Sequence, residues 1–188
     1  MKKDKNNYAF IDGQNLYLGV EELGWRLDYQ KFFLYLRHKY QVKKAYIFIG
    51  YVPWNQELYK SFQEIGYILV FKPILIPKDG SKPKGNVDAD LVLRAMIDYP
   101  LYDKAVIVTS DGDFYSLVEH LYSSGKLRVV LAPHKKNCSI LLRKKAKERI
   151  DFLDNLKEKL PQKWKSTAGG RNLPEVPFRH DIAIISFP

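Results

Sequence analysis

The sequence has little cysteine and no long apolar run, and each absence excludes a class of protein. A single cysteine, Cys138, occurs among the 188 residues, so no disulfide forms within the chain and a reducing compartment is expected. No apolar run approaches the ~20 residues that a transmembrane helix requires. The basic start, MKKDKNN, leads into a strand that ends in a carboxylate, not into the apolar core of a signal peptide. We therefore expect a soluble, cytoplasmic protein without a membrane partner.

Further absences concern the chemistry of possible enzyme sites. The phosphate-binding pattern G-x-x-x-x-G-K-[ST] does not occur, which argues against NTP hydrolysis. With one cysteine and four scattered histidines, a zinc site is not indicated. A haloacid-dehalogenase-type phosphatase needs Asp-x-Asp after the first strand, where this chain reads DGQN, and a Toprim domain needs Glu in place of Asp12. The sequence therefore does not favour either of these two α/β enzyme classes, whose sites are built from acidic residues.

Positive charge is abundant. The 31 Lys and Arg residues against 21 Asp and Glu give a net charge of +10, which favours a polyanionic partner, nucleic acid first. Much of this charge lies in residues 134–149, HKKNCSILLRKKAKER, which we predict to form a basic helix at about 138–148 with Leu141 and Leu142 as its apolar anchor. Arg143 and Lys144 are candidates to contact a phosphate backbone. A solvated helix face is the alternative explanation.

Apolar runs and helical patterns alternate along most of the chain. The runs predict five strands, at 8–12, 44–52, 67–76, 104–111 and 127–133. Strands that are apolar throughout are buried on both faces, as in a parallel sheet covered by helices. The alternation predicts an open three-layer α/β sandwich, with a mainly parallel sheet of about five strands between helices. We assign residues 1–160 to this domain and 161–188 to a tail that is disordered or docks on the domain.

Four aspartates follow elements that end at one predicted edge of the sheet. Asp12 ends the first strand, Asp111 and Asp113 end the fourth, and Asp88 lies in the first turn of a helix. Ligand sites in open parallel sheets form at the carboxyl ends of the strands. Two unit charges about 4 Å apart repel by roughly 4 kcal/mol at an effective dielectric of 20, so such a cluster needs a cation. An all-oxygen site suits Mg²⁺ or Mn²⁺, which orient water and stabilise the leaving oxygen of a phosphodiester.

Other residues near these aspartates have more than one interpretation. A single acid at a helix start usually acts as a cap, so the metal site depends on the joint occurrence of the four. Asp90 points about 200° away from Asp88 on a helix, and we expect it outside the metal shell. Lys82 and Lys84, in the turn-rich loop before Asp88, either hold phosphates or are merely solvated. The aromatic residues after Asp12 either line the cleft or pack in the core; they are Tyr17, Trp25 and Tyr29.

Three segments together resemble the NYN domain, in the LabA-like branch of the PIN-like nuclease superfamily. They are FIDGQNL (10–16), KGNVDADLVLRAMID (84–98) and VIVTSDGDFYSLVEHL (106–121). The resemblance covers about residues 8–150 and implies a PIN-like sheet with Mg²⁺ or Mn²⁺ at one edge. It implies four metal-binding and catalytic acids, which are Asp12, Asp88, Asp111 and Asp113. It further implies that Asn15 orients a ligand or water and that Ser110 supports a carboxylate or the scissile phosphate.

The resemblance implies an enzyme that cuts RNA. The leading hypothesis is an Mg²⁺- or Mn²⁺-dependent endoribonuclease in which a metal-activated water attacks the phosphodiester in line. The alternative is an RNA-binding regulatory module that keeps the acids but turns over little or no substrate. RNA is favoured over DNA as the partner. A homodimer through a helix face or the apolar IAIISF segment (182–187) is a further expectation.

Overall fold

The structure, a computed structural model, describes residues 5–73 and 88–161. The predictions for Lys82, Lys84 and residues 162–188 lie outside the described residues. The proposed division into a domain and a tail therefore stays a prediction. Among the described residues, no helix has the length and apolar character that crossing a membrane would require.

A parallel sheet forms the centre of the fold. Its strands are β1 (Asn7–Asp12), β2 (Val42–Tyr51), β3 (Ile68–Pro73), β4 (Ala105–Val108), β5 (Leu127–Ala132) and β6 (Ile150–Phe152). They lie in the order β3-β2-β1-β4-β5-β6, and every neighbouring pair is parallel. This confirms the predicted fold class, with one strand more than the five expected. No sequence pattern indicates β6, because it has only three residues and all of them are half-buried.

Helices cover both faces of the sheet. They are α1 (Gly13–Glu22), α2 (Tyr29–Tyr40), α3 (Gln56–Ile65), α4 (Asp88–Ile97), α5 (Tyr115–Ser123) and α6 (Ile140–Ala146). Successive side chains of a strand point to opposite faces, and β1 shows this directly. Ile11 belongs to the core that α1, α2 and α3 cover, whereas Phe10 belongs to the core under α4, α5 and α6.

The predicted basic helix exists as α6, but only one of the two leucines predicted to anchor it is buried. Leu142 is fully buried under α6, whereas Leu141 is 41% exposed, so the expectation that both leucines anchor the helix is wrong for Leu141. Adjacent residues on a helix are about 100° apart, and a short helix on a sheet buries only one narrow stripe. Here Ala146, four residues after Leu142, completes that stripe.

The order of the strands places a site between β1 and β4. From β1 the chain first adds β2 and β3 on one side, and then β4, β5 and β6 on the other. The carboxyl ends of β1 and β4 therefore lie side by side where the direction of addition reverses, and this is where ligands bind in open α/β sheets.

Candidate metal centre

Three carboxylates converge at the carboxyl edge of the sheet. Asp88 is the first residue of α4, while Asp111 and Asp113 flank Gly112 after β4. Each offers one oxygen, and the three oxygens lie within 4.8 Å of one another. Asp88 and Asp111 are half-buried and Asp113 is exposed. Oxygens at this spacing, open to solvent on one side, form a ligand set that suits a hard divalent cation.

Asp12 lies beside this group but does not belong to it. Its side chain is 8% exposed, and its Oδ1 accepts a hydrogen bond of 3.0 Å from the Asn15 backbone N–H, which caps α1. Burial, and after it the charges of Asp88 and Asp111, raise the pKa of Asp12 from 3.8 to about 7, against the lowering effect of the Asn15 and Thr109 hydrogen bonds. The structure thus brings the four predicted aspartates to one edge. Three of them have oxygens close enough to share an ion, and the charges of Asp88 and Asp111 act on the fourth, Asp12.

Hydrogen bonds within residues 109–113, which we call the acid loop, fix its carboxylates. The Asp111 N–H donates to Thr109 Oγ1 at 3.1 Å, and the Asp113 N–H donates to Asp111 Oδ1 at 2.9 Å. The Thr109 hydroxyl in turn donates to Asp12 Oδ2 at 3.4 Å. Thr109 therefore links Asp12 to the acid loop. In the sequence, the only signal for this role is the position of Thr109 directly after an apolar strand.

Asn15 and Ser110 meet across the junction of β1 and β4. Asn15 Oδ1 accepts the Ser110 backbone N–H at 2.7 Å, so α1 is tied to the acid loop. The Ser110 carbonyl accepts the Ser139 N–H at 3.0 Å, and Ser110 Oγ is buried without a hydrogen-bond partner among the described residues. These contacts position the acid loop. The predicted roles of Asn15 toward water and of Ser110 toward phosphate stay predictions.

Ser139 closes the other side of the acid loop. A Cβ on Gly112 would lie 2.6 Å from Ser139 Oγ and 3.1 Å from Ser139 Cβ, so only glycine fits there without a shift. No local pattern in the sequence indicates this contact, because Ser139 lies on a different element from Gly112. α6 also packs against residues 112–114, which places the basic helix beside the acids.

A buried polar group holds the helix that carries Asp88. Asp98, just after α4, is 2% exposed and accepts hydrogen bonds from the Tyr46 hydroxyl at 2.7 Å and from Arg94 Nε at 3.1 Å. Arg94 also donates to the Tyr46 hydroxyl at 3.1 Å. α4 is therefore fixed to β2, and no local pattern in the sequence indicates this contact. Asp90 is not part of the three-carboxylate group, and its expected place outside the metal shell stays a prediction.

The aromatic residues that follow Asp12 belong to the core. Trp25 is 9% exposed, so it packs and does not line a cleft. Tyr17 and Tyr29 are partly buried and pack against the same core cluster. Of the two interpretations that the sequence allows for these rings, packing is therefore the one that the structure supports.

The charges of the basic helix have two different environments. The Arg143 guanidinium lies 5.5 Å from the centre of the Phe152 ring, and Lys145 pairs with Glu119 on α5. Lys144 is exposed on the same helix. The basic helix thus uses part of its charge to pack and presents the rest to solvent.

The comparisons with known proteins agree with this architecture. A family model of the NYN domain matches residues 8–154, which contain all four aspartates. The chain belongs to the NYN family. NYN domains form part of the PIN-like nuclease superfamily, so the resemblance noted in the sequence is confirmed.

One relative and one solved structure are similar to this NYN domain. The "Low amplitude and bright protein LabA" of Synechococcus elongatus is 26% identical over 121 residues, 60% of this chain and 65% of that protein. The alignment thus covers less than two thirds of LabA, and it supports the LabA-like branch. A crystal structure of a Vibrio parahaemolyticus protein of unknown function has a TM-score of 0.67 at 24% identity, covering 82% of this chain and 97% of that one. It shows the same fold.

Proposed function

We propose that this NYN domain is a divalent-metal-dependent ribonuclease that hydrolyses the phosphodiester bonds of RNA. The observation that carries the proposal is the convergence of Asp88, Asp111 and Asp113, whose oxygens lie within 4.8 Å of one another. In the part of the chain that the structure describes, neither Asp111 nor Asp113 forms an ion pair. No cation of the described residues therefore offsets the repulsion between Asp111 and Asp113, whereas a divalent metal would.

The residues present fit Mg²⁺ or Mn²⁺. Asp88, Asp111 and Asp113 would hold the ion, and Asp12 adds a carboxyl group on the buried side of the site. A bound ion would lower the pKa of an attacking water and stabilise the oxygen that leaves the phosphorus. In the metal-free site the pKa of Asp12 is raised to about 7, mainly by burial. The net charge of +10 favours a polyanionic substrate.

A cleavage assay tests the proposal. We would incubate end-labelled 20-nucleotide single-stranded RNA and DNA with the protein in Mg²⁺, Mn²⁺ or EDTA. We compare the wild type with Asp111→Asn and with the matched control Asp90→Asn, since Asp90 lies outside the three-carboxylate group. We expect RNA cutting that EDTA abolishes, that Asp111→Asn lowers at least ~100-fold, in line with the loss of one electrostatic catalytic group, and that Asp90→Asn leaves nearly unchanged.

The other outcomes of this assay identify the alternatives. Equal cutting by wild type and Asp111→Asn means that the activity comes from a contaminant or a different site. Cutting of DNA alone would correct the substrate class. A circular RNA of the same sequence decides the mode of action, because an endonuclease cuts it and an exonuclease does not.

The RNA-binding regulatory module remains the second candidate. The observation that favours it is that Asp12 lies outside the three-carboxylate group, so the acids do not form one four-ligand set. This candidate predicts that Mg²⁺ raises the melting temperature and that RNA binds, while no product appears with any metal. Detectable metal-dependent product that Asp111→Asn abolishes contradicts it.

The expected homodimer also stays a proposal. α4 exposes two large apolar side chains one turn apart, Leu93 at 59% and Ile97 at 57%. Sedimentation of the wild type and of Ile97→Glu at the same concentrations tests whether this helix face supports self-association. A monomeric wild type contradicts the dimer.

A further inference from the structure

Besides the basic helix, a second group of positively charged residues lies at the amino edge of the sheet. The aspartates lie at the opposite, carboxyl edge. Lys104 precedes β4, Arg128 is the second residue of β5, and Arg149 precedes β6. Together with Lys39 they line an open cavity of about 390 Å³, which also contacts Tyr40. We call this cavity the basic groove.

The two carboxylates that line the basic groove already have partners. Asp151 accepts hydrogen bonds from Lys39 Nζ at 2.6 Å and from the Tyr40 hydroxyl at 3.0 Å. Glu148 accepts the Tyr122 hydroxyl at 3.1 Å and pairs with Arg149 at 3.5 Å. These contacts offset Lys39 and part of the charge of Arg149.

Lys104 and Arg128 carry the remaining charge. Neither forms an ion pair with any residue in the described ranges 5–73 and 88–161. The Arg128 guanidinium lies 5.8 Å from the centre of the Tyr40 ring, which holds it at the groove, and its side chain is exposed. Burial lowers the pKa of the Lys104 ammonium, and the charges of Arg149, Arg128 and Lys5 lower it further. Cations that repel one another in an open groove are relieved when an anion binds among them.

α6 leads from the acid loop to the basic groove. Its N-cap, Ser139, donates its backbone N–H to Ser110 at 3.0 Å, and the chain reaches Arg149 three residues after the helix ends. Lys144 is exposed on the way. Asp111 follows Lys104 by seven residue steps along the β4 segment, which span at most ~23 Å at about 3.3 Å per step.

We propose that the basic groove is a phosphate-binding exosite for the same RNA strand whose scissile bond lies at the acid loop. At the stacked spacing of about 3.4 Å per nucleotide, some seven nucleotides cover the distance between the two. The proposal rests on the proposed function for the identity of the strand, but binding at the groove requires no cleavage. Contacts of this kind recognise the backbone and not the base sequence.

Binding measured without metal tests the proposal separately from catalysis. We would measure fluorescence anisotropy of a labelled 20-nucleotide single-stranded RNA in EDTA, at several salt concentrations, for wild type, Arg128→Glu and Lys104→Gln. The matched control is Lys60→Glu, which makes the same charge change as Arg128→Glu on the exposed side of α3, away from the groove. We expect Arg128→Glu to weaken binding about 5- to 10-fold and to lower the salt slope by ~0.7 for each phosphate that the groove no longer neutralises. For Lys60→Glu we expect a change below about twofold, the effect of net charge alone.

Three outcomes overturn the exosite. The first is that Arg128→Glu and Lys60→Glu weaken RNA binding equally, and the second is that Arg128→Glu leaves the salt slope unchanged. The third concerns a 4-nucleotide RNA, which is too short to reach the groove: its rate of metal-dependent cutting would respond to Arg128→Glu as strongly as that of the 20-nucleotide RNA. Weakened binding by Arg128→Glu without any cleavage by the wild type supports the exosite and contradicts the nuclease. Cleavage by the wild type without a specific effect of Arg128→Glu does the reverse. Tripolyphosphate is a further probe of the groove. If it binds there while RNA binding is insensitive to Arg128→Glu, RNA is not the ligand of the groove.

Discussion

Replacing Asp12 with asparagine should stabilise the metal-free protein while it damages the site. The carboxyl is buried, and its pKa rises from 3.8 to about 7 on folding. The folded state therefore holds the Asp12 proton more tightly than the unfolded state does. The stability from this group is fully present below pH 3.8 and is lost as the pH rises to about 7.

The size of the effect follows from the shift. A rise of about three pKa units, at 1.36 kcal/mol each, corresponds to about 4 kcal/mol of destabilisation at pH 8, and the same arithmetic leaves about 2 kcal/mol at pH 5. Asparagine has nearly the same shape, carries no charge, and keeps an oxygen to accept the Asn15 N–H. We expect Asp12→Asn to raise the free energy of unfolding in EDTA by about 2–4 kcal/mol at pH 8 and by clearly less at pH 5.

Thermal unfolding in EDTA at pH 5 and pH 8 is the assay. At about 2–4 °C per kcal/mol for a chain of this size, the melting temperature at pH 8 should rise by several degrees. Asp90→Asn is the control, because Asp90 lies outside the three-carboxylate group. Added Mg²⁺ should stabilise the wild type more than Asp12→Asn at pH 8, since the ionised Asp12 adds a negative charge beside the ion. An Asp12→Asn protein that is less stable than the wild type at pH 8, or equally changed at both pH values, refutes the reasoning.

Two other contacts around the site give predictions of different kinds. Gly112→Ala places a Cβ 2.6 Å from Ser139 Oγ, so we expect at least ~10-fold slower cutting, the scale of a misplaced catalytic group, with partial recovery in the Gly112→Ala, Ser139→Gly double variant. No recovery in that double variant contradicts the steric account. Asp98→Ala leaves Arg94 and the Tyr46 hydroxyl without their buried partner, and urea unfolding should show a loss of about 3 kcal/mol. A loss below ~1 kcal/mol would mean that the group does not anchor α4.

The sheet was predictable because its strands are continuously apolar. Runs of that kind are buried on both faces and leave little choice but a parallel sheet between helices. β6 was not predictable, because a three-residue, half-buried strand has no pattern of its own and forms only because β5 offers an edge. The prediction that both leucines anchor α6 was wrong for Leu141, because sequence spacing did not decide which of Leu141 and Leu142 faces the sheet.

The supporting contacts of the site were not predictable. Thr109, Ser139 and Asp98 act through hydrogen bonds or close approach to residues on other elements, and the identity of those neighbours depends on how the elements pack. Short-range signals such as a cap or a turn residue carry no information about them. The basic groove was missed for the same reason, because its cations come from the ends of separate elements.

The sequence by itself determined that acidic residues stand at the ends of buried strands and helices, because the alternation of apolar and polar segments fixes where each element ends. Only the tertiary structure decided which of these acids meet. The order β3-β2-β1-β4-β5-β6 puts β1 beside β4, and the placement of α4 brings Asp88 to Asp111 and Asp113 while Asp12 stays buried next to them. The physical reason is that local patterns set the ends of an element, whereas neighbours, burial and the pKa of a carboxyl are set by packing between elements far apart in the chain.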